Sequence, residues 1–124
     1  MKQALILFAH GSRDAAWAAP FERLRERVAA ALPGSEVGIA YLELMRPTLD
    51  EALNALEARG MQRVSVVPVF LGQGGHVSED LPRLLAAAGA RHPGLEFAVQ
   101  PPIGEQPGVI EAIAGAIARR ELNR

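Results

Sequence analysis

The feature that most constrains this chain is a regular alternation of short apolar runs with longer amphipathic segments. The first run, residues 4–9, is continuously apolar, as expected of a parallel strand that is buried on both faces. The next segment, residues 16–32, has the apolar period of a helix with one buried face. Because this strand-then-helix pattern occurs four times, the sequence predicts a parallel sheet with helices on both faces.

The remaining boundaries follow from the same patterns and from proline and glycine at their ends. Three further strands are predicted over residues 36–44, 63–71 and 95–100. Three further helices are predicted over residues 47–60, 78–91 and 107–121. Pro68 cannot donate a hydrogen bond to a neighbouring strand, so we expect it near a strand end or at a bulge. The expected fold class is therefore α/β, a three-layer sandwich around a four-stranded parallel sheet, formed by one domain over residues 1–124.

Composition narrows the class of partner and the compartment. Of the 124 residues, 49% are hydrophobic, and the net charge of −1 gives no global field for nucleic acid or an anionic membrane. The chain has no cysteine, which excludes disulfides and thiolate metal sites and makes the cytoplasm the expected location. The apolar runs are far shorter than the roughly 18 residues of a membrane span. Residues 10–14 are too polar for a signal-peptide cleavage site, so we expect no leader.

Three polar side chains follow strands of the predicted sheet. His10 comes directly after the first strand, Glu43 lies at the end of the second, and His76 follows the third through a glycine-rich turn. Ligands of open parallel sheets bind beyond the carboxyl ends of the strands. Two imidazoles and a carboxylate there suit iron, cobalt, nickel or zinc, and they suit proton transfer equally well.

Simpler or different interpretations exist for Glu43, for a third histidine, His92, and for His10. Glu43 could form an ion pair with Arg46 instead of belonging to a site, and its spacing leaves both interpretations open. His92 precedes Pro93-Gly94 and is expected to cap a helix end beside Arg91. A phosphatase that uses His10 as nucleophile is disfavoured, because Ala9 rather than an arginine precedes it.

Four blocks of sequence together resemble the CbiX/SirB family, the short tetrapyrrole chelatases that act on sirohydrochlorin. These blocks are Phe8-Ala9-His10-Gly11-Ser12-Arg13, Tyr41-Leu42-Glu43-Leu44 with Pro47, Pro68-Val69-Phe70-Leu71 through Gly74-Gly75-His76-Val77 to Asp80-Leu81-Pro82, and Pro102-Ile103-Gly104 with Pro107. The blocks occur in the family's order and cover essentially the whole chain.

The resemblance implies insertion of a divalent metal, cobalt or ferrous iron with nickel as a third candidate, into sirohydrochlorin without ATP. It implies a lyase of cobalamin or siroheme biosynthesis, with no cofactor beyond the substrate metal, and a homodimer in which the second copy completes the cleft. In the family two histidines bind the metal, and they correspond to His10 and His76 here. The family's acidic residue corresponds to Glu43, which would act in catalysis together with both histidines.

Sirohydrochlorin is a polycarboxylate, so its rim is expected to meet guanidinium, hydroxyl and backbone N–H groups near the histidines. The candidates for these substrate contacts are Ser12, Arg13, Arg46, Gly74 and Gly75. A second hypothesis keeps the same histidines in a module that binds or delivers metal without catalysis. That module would bind metal without turnover.

Overall fold

The computed structural model describes residues 3–72 and 75–123, and the side chains of residues 75–79 lie outside the described set. Its centre is a sheet of four parallel strands, as the alternating pattern predicted. The strands are β1 (Gln3–Ala9), β2 (Glu36–Tyr41), β3 (Arg63–Pro68) and β4 (Glu96–Val99). Their order in the sheet is β2-β1-β3-β4, so β1 and β3 are central and β4 is an edge strand.

Four helices follow the strands in chain order. They are α1 (Ala19–Ala31), α2 (Leu49–Ala58), α3 (Gly75–Arg91) and α4 (Val109–Leu122). Short 3₁₀ turns at Ala15–Ala18 and Ile103–Glu105 precede α1 and α4. Together with the sheet, these helices form the α/β fold that the sequence predicted.

One face of the sheet packs on α2 and α3. Side chains of the two central strands supply one half of this core, among them Ile6, Phe8, Val64 and Val66. Helix side chains supply the other half, from α2 Leu49, Leu53 and Leu56, and from α3 Leu81, Leu85 and Ala88. Phe8, Leu53, Val64 and Val66 are among the largest fully buried side chains, so this face holds most of the core.

The opposite face packs on α1. The sheet contributes Leu7, Ala9, Val37, Ile39, Tyr41 and Val67. Trp17, Phe21, Val28 and Ala29 cover them from the helical side, and the Trp17 and Phe21 rings lie 4.4 Å apart. Leu24 on this helix and Leu32, the residue that directly follows it, remain 37% and 44% exposed. The apolar stripe of α1 is therefore wider than the strip of sheet that it covers.

Two predicted strands end earlier than their sequence pattern suggests. β2 was expected to reach Leu44, but it ends at Tyr41, where the chain bends across the end of β1. The N–H groups of Leu42 and Glu43 donate to the carbonyls of Ala9 and His10, so these residues become a loop beyond the sheet. β3 likewise ends at Pro68 and not at residue 71, which places the proline at a strand end as predicted.

His92 does more than end α3. It is 4% exposed, and its Nδ1 and Nε2 lie 2.6 Å from Glu57 Oε1 and 2.9 Å from Asp50 Oδ1. Arg91 adds two hydrogen bonds to Asp50, of 3.1 and 2.8 Å. Because both ring nitrogens face carboxylates, which accept and cannot donate when ionised, the imidazole is held as a cation that ties α3 to α2. The predicted role as a helix cap was therefore incomplete.

We expect this cluster to make stability depend on pH. Burial by itself would lower the pKa of His92, but hydrogen bonds with Glu57 and Asp50 outweigh it and raise that pKa. A raised histidine pKa contributes stability that is complete below about pH 6.5 and lost as the pH rises through the folded-state value. Hydrogen bonds from Arg91 and His92 lower the pKa of Asp50, whose contribution is lost in acid.

The test is urea unfolding of the wild type and of His92→Gln between pH 5 and 9. At pH 6 the substitution should cost about 2 kcal/mol, because two carboxylates lose a charged partner. The wild type should lose more of its free energy of unfolding between pH 6 and 9 than the variant does. Equal pH slopes in the two proteins would contradict this role of His92.

Candidate functional site at the carboxyl edge of the sheet

The carboxyl edge of the sheet brings two of the predicted site residues together. His10 follows β1, Glu43 lies in the loop after β2, and His10 Nε2 is 3.0 Å from Glu43 Oε1. Their side chains are 42% and 55% exposed, so the pair faces solvent and not the core. If the Nε2–H donates to Glu43, the Nδ1 lone pair is left to accept a proton or bind a cation.

A close approach of two loops holds this pair in place. The Glu43 N–H donates to the His10 carbonyl at 3.0 Å, so the same two residues are joined through their backbones as well as their side chains. Gly11 has a φ of 102°, and a Cβ at this position would overlap the Glu43 carbonyl oxygen. Glycine alone tolerates both the left-handed backbone and this contact. The His10-Gly11 pair in the sequence therefore fixes the position of Glu43 as well as that of His10.

Leu44 adds backbone strain to the same loop. Its φ is 66°, a conformation that bulky side chains rarely adopt, and its side chain is 55% exposed. Strain of this kind persists where the surroundings impose it, and it is concentrated at functional sites. Sequence analysis did not single out Leu44, because nothing in its residue type predicts a positive φ.

Phe70 supports the His10 ring from the side of β3. The two rings meet edge to face, with centroids 6.3 Å apart and planes at 84°. Phe70 makes a similar contact with the buried ring of Phe8, at 6.5 Å. Successive ring contacts thus connect Phe8 in the core, through Phe70, to His10, and they restrict the orientation of the imidazole.

The loop after β4 closes the edge on the other side. The Gly104 N–H donates to the Phe70 carbonyl at 3.0 Å, and a Cβ on Gly104 would overlap the carbonyl oxygen of Leu71. Leu71 itself is 60% exposed. Exposed leucines therefore lie on two loops of this edge, at positions 44 and 71. Both belong to sequence blocks that resemble the family, but the sequence assigned no role to either. The signal available in the sequence was a leucine at the end of each of these two predicted strands.

The predicted substrate-contact residues on the first two loops have distinct surroundings. Ser12 Oγ accepts a hydrogen bond of 3.1 Å from the Asp14 N–H, and Arg13 is exposed. Arg46 forms a two-point ion pair with Glu51, which raises the pKa of Arg46. The Arg46 hydrogen bond, together with one from the Thr48 N–H, lowers the Glu51 pKa to about 2. The alternative ion pair between Arg46 and Glu43 is therefore not the one formed.

The third predicted loop is described only in part. Gly75 and His76 are the first two residues of α3, so that helix begins three residues before the predicted Ser78. Gly75 thus begins a helix, where a flexible turn was expected. Gly74 and the His76 side chain lie outside the described residues, so their roles stay predictions. Among the described side chains, those of residues 3–72 and 80–123, no group of three or more metal-binding side chains is found.

Comparisons with known proteins identify the family of this chain. The CbiX family model matches residues 4–120. A sirohydrochlorin cobaltochelatase from Methanocaldococcus jannaschii is 36% identical over 90 residues, which are 73% of this chain and 63% of that protein. The sirohydrochlorin ferrochelatase of Bacillus subtilis is 28% identical over 120 residues, which are 91% of this chain and 43% of that protein.

Solved structures give the same result. The crystal structure of a CbiX protein from Marinobacter aquaeolei VT8 matches with a TM-score of 0.85 and 34% identity, over 98% of this chain and 99% of that one. The sirohydrochlorin chelatase SirB from Bacillus subtilis subspecies spizizenii, in complex with cobalt, matches with a TM-score of 0.79 and 28% identity. That match covers 96% of this chain and 51% of SirB.

The share of each protein that a match covers decides which conclusions the match supports. The chain spans about half the length of the curated relatives that it matches, so their full activity does not transfer automatically. The family match, in contrast, extends over nearly every residue from β1 to α4. It includes the loops that carry His10, Glu43 and Gly104. The chain therefore belongs to the CbiX family.

Proposed function

We propose that this chain inserts a divalent metal, Co²⁺ or Fe²⁺, into sirohydrochlorin without ATP, as a lyase of cobalamin or siroheme biosynthesis. The observation that carries the proposal is the His10–Glu43 pair, 3.0 Å apart at the open carboxyl edge of a CbiX-family sheet. The names of the relatives support it, since they include both a sirohydrochlorin ferrochelatase and sirohydrochlorin cobaltochelatases.

The reaction needs a base and a weak metal site, and in our proposal residues at this edge supply both. Metalation removes two N–H protons from the pyrrole nitrogens while the cation passes into the ring. In our proposal His10 accepts one of these protons after it has released the ion, Glu43 stabilises the resulting imidazolium at 3.0 Å, and the second proton passes to solvent at this exposed edge. His76, on the neighbouring helix α3, would join His10 in holding the incoming ion. Two neutral imidazoles bind a divalent ion less tightly than several thiolates do, so they allow the ion to be released.

The exposed side chains of the edge suit a flat macrocycle with a charged rim. Leu44 and Leu71 are 55% and 60% exposed beside the Phe70–His10 contact, and they could pack on the ring face. Arg13, Arg46 and Ser12 would then meet the rim carboxylates, together with the amides of Gly74 and Gly75. Because Arg46 already pairs with Glu51, its share in this binding requires an exchange of carboxylate partners.

The setting of the activity belongs to the same proposal. We infer a cytoplasmic enzyme formed by a single domain over residues 1–124 that works as a homodimer, in which a second copy covers the open edge. In the part of the chain that the structure describes, no helix has the length and apolarity needed to cross a membrane. No cofactor is proposed beyond the substrate metal.

An anaerobic absorption assay tests the proposal. Purified protein is mixed at catalytic concentration with sirohydrochlorin and either Co²⁺ or Fe²⁺, and the loss of the metal-free spectrum is compared with a sample lacking protein. We expect faster metalation and several turnovers per chain with at least one ion. Metal binding without any acceleration would favour the delivery module instead.

A further inference from the structure

The loop between β2 and α2 contains a turn that a leucine does not ordinarily form. The Met45 N–H donates to the Glu43 carbonyl at 2.8 Å, which closes a three-residue turn with Leu44 at its centre. With a φ of 66° at Leu44, this is the rare, strained form of the γ-turn. Glycine adopts a positive φ readily and asparagine or aspartate occasionally, so the leucine is held against its conformational preference.

Contacts on both sides of the sheet impose this turn. The Leu42 N–H donates to the Ala9 carbonyl at 2.8 Å, which fixes the start of the loop to the end of β1. Leu42 packs against the core beneath α2 and α3, whereas Met45 packs against the core beneath α1. Only Glu43 and Leu44 remain to carry the chain from one face of the sheet to the other. This short crossing, and not the residue type of Leu44, dictates the strained backbone.

The strained leucine gives the fold little in return. Its side chain is 55% exposed, so its burial offsets only part of the conformational cost. Its neighbour Glu43 carries the carboxylate that lies 3.0 Å from His10 Nε2. Strained residues that persist beside a polar pair of this kind are typical of sites where a contact to a ligand is held ready in advance. The position of Leu44 therefore points to a role in binding.

The strand order places a second exposed leucine on the other side of His10. β1, which His10 follows, lies between β2 and β3 in the sheet. Leu44 comes after β2, and Leu71, which is 60% exposed, comes after β3. Because neighbouring strands lie about 4.8 Å apart, the ends of β2 and β3 are separated by roughly 10 Å. This separation suits the face of a ring built from four pyrroles better than that of a single small ring.

We propose that the strained turn is a binding element for the substrate ring. It holds Leu44 outward, so that Leu44 and Leu71 support one face of the tetrapyrrole on either side of His10. Burial of the exposed leucine against the ring stabilises the complex, whereas in the free protein the strained backbone costs stability. Leu44 thus determines the affinity for a flat ring with apolar faces.

This inference rests on the proposed function, because sirohydrochlorin is the ring that it places at this edge, but the two fail separately. A wild type that binds sirohydrochlorin through Leu44 without metalating it would contradict the proposed function and leave the binding role standing. A wild type that metalates sirohydrochlorin, with an affinity that does not depend on Leu44, would overturn the binding role and leave the function standing.

Anaerobic absorption titration with metal-free sirohydrochlorin measures the affinity in the absence of turnover. Leu44→Ala and Leu44→Gly should each raise the dissociation constant about 10-fold, as expected when a partly buried leucine contact is lost. Leu44→Met keeps a long apolar side chain and should stay within about threefold of the wild type. A wild-type dissociation constant in Leu44→Ala would overturn the proposal. A loss of affinity accompanied by a changed oligomeric state in sedimentation equilibrium would assign Leu44 to a subunit contact and would overturn it as well.

Urea unfolding without ligand tests the strain. Glycine is ordinarily less stabilising than alanine, but at position 44 the order should reverse, with Leu44→Gly unfolding at a urea midpoint about 0.5 M above that of Leu44→Ala. The matched control is the same pair of substitutions at Leu32, which is 44% exposed, has a φ of −127° and lies between α1 and β2 at the opposite edge. There glycine should be no more stable than alanine, and the affinity for sirohydrochlorin should equal that of the wild type. An order at position 44 that matches the order at position 32 would overturn the proposal.

Discussion

Replacement of His10 by alanine is expected to reduce the rate of metal insertion at least about 100-fold, the usual effect of removing a general base. The substitution removes the imidazole that lies 3.0 Å from Glu43 and contacts Phe70, and it leaves the loop backbone unchanged. The measurement is the initial rate of the Co²⁺ or Fe²⁺ absorption assay at saturating sirohydrochlorin.

The matched control for this experiment is Gln62→Ala at the opposite, amino edge of the sheet. Gln62 is exposed and precedes β3, so its replacement should leave both the rate and the fold unchanged. Far-ultraviolet circular dichroism of His10→Ala should match that of the wild type, because His10 is partly exposed. A His10→Ala variant that metalates at the wild-type rate would contradict the assignment of this residue.

Replacement of Gly11 by alanine is expected to lower the free energy of unfolding by about 3 kcal/mol and the metalation rate by about 100-fold. The backbone at φ 102° is strained for alanine, and the new Cβ would overlap the carbonyl oxygen of Glu43. The two loops must separate to relieve this overlap, which moves Glu43 away from His10. Urea unfolding and the absorption assay measure the two effects on one protein sample.

Two other glycines separate the causes of that loss. Gly60 also has a positive φ, 77°, but a Cβ there meets no atom within 4 Å, so Gly60→Ala should cost only about 1–2 kcal/mol. A Cβ on Gly34 meets nothing within 4 Å either, and Gly34→Ala should be neutral or slightly stabilising. If Gly11→Ala costs no more than Gly60→Ala, the contact between the loops does not position Glu43.

Much of the architecture follows from the sequence, because short apolar runs alternate with amphipathic helical segments along the chain. The parallel order placed the ends of β1 and β2 at one edge, and that rule alone brought His10 and Glu43 together. The boundary of β2 was wrong for a physical reason. Leu42 still packs on the core after the strand has ended, so its apolar character continues the pattern of a strand.

The features that the sequence did not predict depend on tertiary contacts. The positive φ of Leu44 and the close approach of the Leu71 carbonyl to Gly104 arise where loops from different strands contact each other. Residue type alone does not encode these contacts. The exposure of α4, none of whose side chains over residues 109–122 is buried, is a similar case. Its period predicts a helix with an apolar face, but the position of that face depends on the backbone conformation at Gly108, where φ is 89°. His92 was assigned to a helix end, because its partners lie more than 30 residues away in α2.

The most direct test of the central claim is the single-turnover rate of sirohydrochlorin metalation as the protein concentration is raised. Protein is kept in excess over sirohydrochlorin, and Co²⁺ is held constant under anaerobic conditions. A chelatase should raise the rate with protein concentration to a plateau above the rate without protein. A rate that stays at the uncatalysed value, or falls as added protein sequesters the ion, would contradict the claim that this chain inserts the metal.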